Sequence, residues 1–210
     1  MFSVLDRRAV LKGAGLLVAG VTSRSAVSAP VSGGHLRVAG AVGSASESFD
    51  PARQSMATDY IRGHLFYDGL VSLDDRLIPR PALAETLESD DFQTWHIRLR
   101  RNVRFHDGAT LTAEDVVFSL LRHQIPSTGS QRYALARTMQ SVRVLSALLV
   151  EVVLDAPNSD FPAILGISNF AILKAGTTNF TIANGTGPFR CQEFAPGIRT
   201  IAVKNSEFWG

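Results

Sequence analysis

One stretch limits what this chain can fold into more than any other: Val103 to Arg122, V-R-F-H-D-G-A-T-L-T-A-E-D-V-V-F-S-L-L-R. Val103 and Phe105 alternate with Arg104 and His106, which is strand periodicity. Asp107-Gly108 is a turn signal, because glycine takes positive φ at no steric cost. Thr112 stands where an N-cap belongs, with Asp115 three residues on to answer it. Glu114 and Asp115 place negative charge on the positive end of the helix dipole. Val116, Val117, Leu120 and Leu121 form an apolar stripe at helical spacing. The reading is strand, tight turn, capped helix.

Around it the pattern keeps alternating between strands and short helices. Leu36-Arg37-Val38-Ala39 reads as a first strand, and the Gly/Ser/Ala-rich run from Gly40 to Phe49 as a loop closed by Asp50-Pro51. Thr58 to Phe66 reads as a short helix. Leu73 to Pro79 is a tight turn between two apolar pieces, and Pro81 to Glu85 reads as a short helix with proline near its start. Trp95 to Arg100 alternates cleanly, with Trp95, Ile97 and Leu99 facing a core. Tyr133 to Met139 is a helical piece. Val142–Val144 and Val150–Leu154 form a hairpin, although the connection between them, Leu145 to Leu149, lacks Asp, Asn and Gly. Ser159 or Asp160 caps a helix from Phe161 to Leu165, and Ile198 to Val203 is a further strand.

The first 29 residues stand apart. Asp6-Arg7-Arg8-Ala9-Val10-Leu11-Lys12 resembles a twin-arginine export motif built on Arg7 and Arg8. A short apolar core follows from Gly13 to Val21, and Val27-Ser28-Ala29 offers a small-residue cleavage site. The apolar run is well short of the ~20 residues that span a bilayer. The expected division is therefore an export peptide over 1–29 and one folded unit over 30–210. The whole chain has 21 basic and 19 acidic side chains. Four of the basic ones and one acidic one lie in the leader, so the rest is nearly neutral, and nothing suggests a nucleic-acid surface.

Catalytic and metal chemistry find little support. Cys191 is the sole cysteine, which rules out an internal disulfide and any cysteine zinc site; the favoured reading is a buried, inert thiol. His106-Asp107 resembles a catalytic or metal pair, but neighbouring strand residues point to opposite faces. The other histidines show no i, i+4 spacing, so no metal set is expected. Gly185-Thr186-Gly187-Pro188 lacks the phosphate-loop pattern, and Pro188 removes a backbone donor, so a shaped turn is favoured. No G-x-S-x-G elbow occurs. The best binding candidate is the loop Ser44-Ala45-Ser46-Glu47-Ser48-Phe49, with its hydroxyls, backbone N–H groups and one carboxylate suited to a ligand amine or cation.

Six ordered elements carry a resemblance. F-H-D-G-A-T-L-T-A-E-D-V-V-F-S, Y-D-G-L-V (67–71), P-A-L-A-E (81–85), the strand ending in Leu99-Arg100, G-T-G-P-F (185–189) and N-S-E-F-W (205–209) resemble the extracytoplasmic solute-binding proteins of the peptide/nickel ABC-importer family, family 5. The resemblance runs from Leu36 to Gly210. It implies an α/β fold of the periplasmic-binding class II type, here the N-terminal lobe with a mixed β-sheet and without its second lobe. It further implies a periplasmic, monomeric, non-enzymatic protein without cofactor, catching peptides or other small solutes and delivering them to an ABC permease and its ATPase. Ser44, Ser46, Glu47, Phe49, Gly187 and Pro188 would face the ligand cleft. The alternatives are a truncated copy that binds nothing and, in another class, an exported hydrolase.

Overall fold

The computed structural model describes residues 33–40 and 43–210. The export motif at Arg7 and Arg8 and the cleavage site lie outside the described residues. The chain divides into two units between Val38 and Ala39. In the first, residues 33–38 form neither helix nor strand. Leu36 is 89% and Val38 66% exposed. The strand expected over Leu36–Ala39 does not form: among the described residues its apolar positions find no cover and its backbone no ladder partner.

The second unit is α/β. Asp50 caps a 3-10 turn at Pro51–Arg53 through its side chain, and helix α1 follows at Ala57–Phe66. Strands β1 (Val71–Leu73) and β2 (Pro79–Pro81) pair as a small antiparallel hairpin. Strand β3 (Ala84–Glu88) then pairs with β4 (Thr94–Leu99). The helix expected over Pro81–Glu85 is thus replaced by extended chain. The N–H groups of Ala82 and Ala84 both donate to the Leu70 carbonyl at 3.0 Å, and Leu83 and Ala84 are fully buried. Those pairings use the donors a helical turn would need.

The Val103–Arg122 stretch keeps its turn and helix but not its strand. Gly108 takes φ +87° and Phe105 N–H donates to the Ala109 carbonyl at 2.8 Å, leaving one isolated bridge, Arg104 to Thr110, where a strand was expected. Helix α2 (Ala113–Leu121) starts at Thr112 as expected. Asp115 Oδ2 accepts from the Thr112 backbone N–H at 2.7 Å and from its hydroxyl at 3.0 Å. Its Oδ1 accepts from Ala175 N–H at 2.7 Å, so the cap also fastens a distant loop.

After the short helix α3 (Tyr133–Ala136), strands β5 (Met139–Ser146) and β6 (Leu149–Leu154) form the expected hairpin. Its turn, Ala147-Leu148, needs neither Asn nor Gly, since neither residue takes positive φ. The turn is held instead by its carbonyls: Ala147 accepts from Ala113 N–H at 2.9 Å and Leu148 from Leu99 N–H at 2.8 Å. The sheet order is β3-β4-β6-β5. Helix α4 (Phe161–Leu165) and the hairpin β7 (Phe189–Ala195) with β8 (Arg199–Lys204) complete the unit. Every strand pair described is antiparallel, so the α/β class stands and the expected mixed sheet is corrected. Residues along the strands of such a sheet alternate inward and outward, as β4 shows with Trp95, Ile97 and Leu99 buried.

The main core lies between that sheet and α2, with Ile97, Leu99, Val150 and Val152 against Val116 and Leu120. A second apolar cluster, Phe49, Phe66, Tyr67 and Leu173, has Phe189 and Phe194 packed onto it. It anchors the Ser44–Phe49 loop. Among the described residues no helix is long and apolar enough to cross a membrane.

Candidate functional site

The loop from Ser44 to Phe49 is built from inside outward. Phe49 is 2% exposed, and its ring meets Phe66 edge-on at 5.4 Å and Phe194 at 4.2 Å. Its N–H donates to the Phe180 carbonyl at 2.9 Å. Phe49 is thus the anchor of the loop. Ser44 and Ser46 share a hydroxyl hydrogen bond of 2.8 Å, and Glu47 N–H donates to the Ser44 carbonyl at 3.1 Å.

This loop and the start of α1 border a depression of about 250 Å³, lined by Ser44, Ser46, Glu47, Ser48, Asp50, Arg53, Gln54, Ser55, Met56 and Asp59. Its three carboxylates already have internal partners. Glu47 accepts from Arg62 at 3.1 and 3.2 Å, from Thr58 Oγ1 at 3.2 Å and from Gly197 N–H at 2.9 Å. Burial pushes the Glu47 pKa up, but the Gly197 N–H and Arg62 outweigh it and hold the carboxyl below its ordinary range. Asp59 accepts from Arg62 at 2.7 Å and from Ser55 and Met56 N–H at 3.2 and 3.0 Å. Asp50 is gripped by Arg122 at 2.7 and 3.0 Å while capping Ala52 N–H at 3.0 Å. Hydrogen-bonding capacity in the depression beyond these carboxylates rests with hydroxyls, backbone groups and the side chains of Arg53 and Gln54. Two buried polar atoms, Gln54 Oε1 in its lining and Arg62 Nε beside it, have no partner among the described residues.

Gly187 and Pro188 sit elsewhere, in a turn pressed against the end of α1. A Cβ on Gly185 would lie 2.0 Å from the Phe66 carbonyl oxygen, and one on Gly187 2.6 Å from the Phe66 carbonyl carbon. Thr186 is fully buried and its hydroxyl donates to Asp68 Oδ2 at 2.8 Å, an oxygen that also accepts from Trp209 Nε1 at 2.9 Å. Burial pushes the Asp68 pKa up. Glycine at 185 is thus a requirement of close approach. Gly185→Ala should cost about 3 kcal/mol, the upper end of ordinary overpacking, and lower Tm by roughly 6–12 °C. A thermal melt superimposable on the parent's would refute that.

His106 and Asp107 serve different partners. His106 Nε2 bonds the Gly187 carbonyl at 3.1 Å, whereas Asp107 pairs with Lys174 at 2.6 Å and accepts from Asn184 at 3.0 Å. Burial pushes the His106 pKa down. Cys191 is free and half-buried, with its pKa pushed up by burial. Among the described residues no group of three or more His, Cys, Asp or Glu side chains could hold a metal ion.

Of the residues singled out in the sequence, Ser44, Ser46 and Glu47 line this depression, whereas Phe49, placed there as ligand-facing, is buried beneath it; Asp50, Gln54 and Asp59 also line it, and Arg62 pairs with two of its carboxylates. Only the Asp59–Arg62 spacing, one helical turn, signals an interaction locally.

Comparison with known proteins gives a consistent answer. Residues 79–210 match the bacterial extracellular solute-binding proteins, family 5, middle part. The glutathione-binding protein GsiB of Pectobacterium atrosepticum is 31% identical over 202 residues, covering 93% of this chain and 38% of that protein. The periplasmic binding protein DppA of Helicobacter pylori, solved with the peptide STSA, is 25% identical at a TM-score of 0.71, covering 80% of this chain and 39% of its own. The nickel ABC transporter protein of Bacillus halodurans is 29% identical at a TM-score of 0.69, covering 80% of this chain and 34% of its own. The chain spans between a third and two fifths of the length of these relatives.

Proposed function

The chain belongs to the bacterial extracellular solute-binding proteins of family 5, and on that premise we propose that it is one lobe of the solute-capturing component of an ABC importer. The match over residues 79–210 carries this reading. The protein is exported by the twin-arginine route through Arg7 and Arg8, and works in the periplasm. Its cargo is a peptide or a related small solute. One wall of the cleft is formed by Ser44, Ser46 and the backbone around Glu47 and Phe49, with Gly187 and Pro188 shaping the chain behind it. Capture is non-covalent: contacts from two lobes shift a hinge toward closure, because only differential affinity can move such an equilibrium. The closed form then docks on a permease driven by its ATPase. Relatives named for glutathione, a peptide and nickel support small solutes of this range. The internal pairing of Glu47, Asp50 and Asp59 favours a solute recognised through hydroxyl and backbone contacts over one held by a free carboxylate.

The test is a chimera in which residues 36–210 replace the matching segment of the Pectobacterium glutathione-binding protein. Titration calorimetry with glutathione, dipeptides, tripeptides and a nickel–histidine chelate should show micromolar binding of at least one. A chimera that unfolds cooperatively yet binds none of them would sink the reading.

A further inference from the structure

Two weakly supported segments meet at Glu47. The first is the Ser44–Phe49 loop, which has few internal hydrogen bonds beyond those of Ser44, Ser46 and Glu47 itself. The second is the tip of the β7–β8 hairpin, Pro196-Gly197-Ile198. A two-stranded ribbon is marginal without packing; its inner side rests on the second cluster through Phe189 and Phe194, while on its outer side Ile198 is 82% exposed, with Ile201 and Val203 also exposed. The tip is held at the loop by the Gly197 N–H on Glu47 Oε2 at 2.9 Å. Close backbone approach reinforces it: a Cβ on Gly43 would lie 3.2 Å from Gly197 Cα, and one on Gly197, at φ +71°, 3.2 Å from the Ser44 carbonyl carbon. Behind the carboxylate, Arg62 pairs with Glu47 and lies over the Phe194 ring of β7 at 5.6 Å, while Phe194 packs on Phe49. One carboxylate therefore ties loop, helix α1 and hairpin together.

We propose that Glu47 is a positioning residue that couples the Ser44–Phe49 loop to the hairpin tip at Gly197, so that the two segments keep or lose their shape as one. It acts on a solute only through the loop, and in that sense it rests on the proposed function. The hairpin thereby becomes a distal handle on the loop: moving the tip reshapes the hydroxyl-bearing surface without any change at Ser44 or Ser46. Glu47 is thus committed inside the protein, whereas its loop setting in the sequence predicts a carboxylate that meets a ligand amine.

Hydrogen exchange on the full 210-residue chain, with no solute present, tests the coupling. Glu47→Ala removes a charge-assisted acceptor and should speed exchange of residues 44–49 and of 195–199 by about tenfold or more, together. The four-stranded sheet should keep its protection. Glu47→Gln retains an acceptor for Gly197 and should rescue most of the protection at both segments. Gly197→Ala, which strains the tip at φ +71° and presses a methyl on the Ser44 carbonyl, should loosen residues 44–49. Loosening of only one segment, an equal rise across the whole chain, or a loop indifferent to Gly197→Ala would overturn the proposal. If Glu47→Ala fails to fold, Glu47→Gln and Gly197→Ala still decide it. Failure of the chimera to bind solute leaves this result unaffected, and the reverse holds too.

Discussion

Asp50→Ala should lower folding stability by about 3–5 kcal/mol, the cost of leaving one half of a buried ion pair alone. Asp50 and Arg122 are both buried and meet in a two-pronged contact at 2.7 and 3.0 Å. Arg122 cannot shed its charge, so removal of the carboxylate strands a guanidinium against the Phe180 ring, 4.9 Å away. The same substitution deletes the side-chain cap on Ala52 N–H. Arg122→Ala should cost somewhat less, since Asp50 keeps its backbone donor. Replacing both by apolar residues of similar size, Asp50→Leu with Arg122→Met, should cost less than either alanine change alone. The pair is a matched charge whose desolvation largely cancels its attraction. Urea unfolding of the four chains measures this. A loss under about 1 kcal/mol for Asp50→Ala would mean the pair is not sealed from water.

The pair also illustrates where sequence reading stops. Asp50-Pro51 was legible as the close of a loop, because both residues are local turn formers. Its partner across 72 residues was not. Helix α2 was readable from cap to stripe because Thr112, Asp115, Val116 and Leu120 interact within two turns of chain. Strand β4 was readable because its alternation is complete over six residues. Pro81–Glu85 misled for the converse reason: proline followed by Ala, Leu and Glu is a helix signal, and the decision was made by Thr94–Leu99 and by the Leu70 carbonyl. The hairpin turn at Ala147-Leu148 carried no turn residues since its geometry is imposed by Ala113 and Leu99. In the candidate site the serines were visible by composition. The state of Glu47 was not, because its partners lie 11, 15 and 150 residues away. Gly185 was recognisable as a motif glycine, but the reason for it is the Phe66 carbonyl.

Acid should weaken the fold through His123, next along the chain from Arg122. His123 is buried, its Nδ1 lies 2.7 Å from Ser130 Oγ, and its ring packs on Phe170 at 4.7 Å. Burial, helped by the neighbouring Arg122 charge, pushes its pKa down from 6.5 to about 4. The folded state thus holds the neutral imidazole where the unfolded chain would already be protonated. Above pH 6.5 neither state binds the proton and the full stability is present. Between pH 6.5 and about 4 only the unfolded state takes it up, so stability falls as the pH falls. The fall accumulates to on the order of 3 kcal/mol, because each tenfold difference in proton affinity between the two states is worth about 1.4 kcal/mol. Below about pH 4 both states are protonated and this contribution is gone. His106, whose pKa burial also lowers, acts in the same direction. Denaturant titrations at about pH 7.5, 6, 5 and 4.5 on the parent and on His123→Phe separate the two histidines from each other and from the carboxylates. The phenylalanine chain loses the Ser130 contact at every pH but cannot titrate, so the gap between the two stabilities should close, or invert, on acidification. A gap that stays constant across that range would show that His123 is not held neutral by its burial.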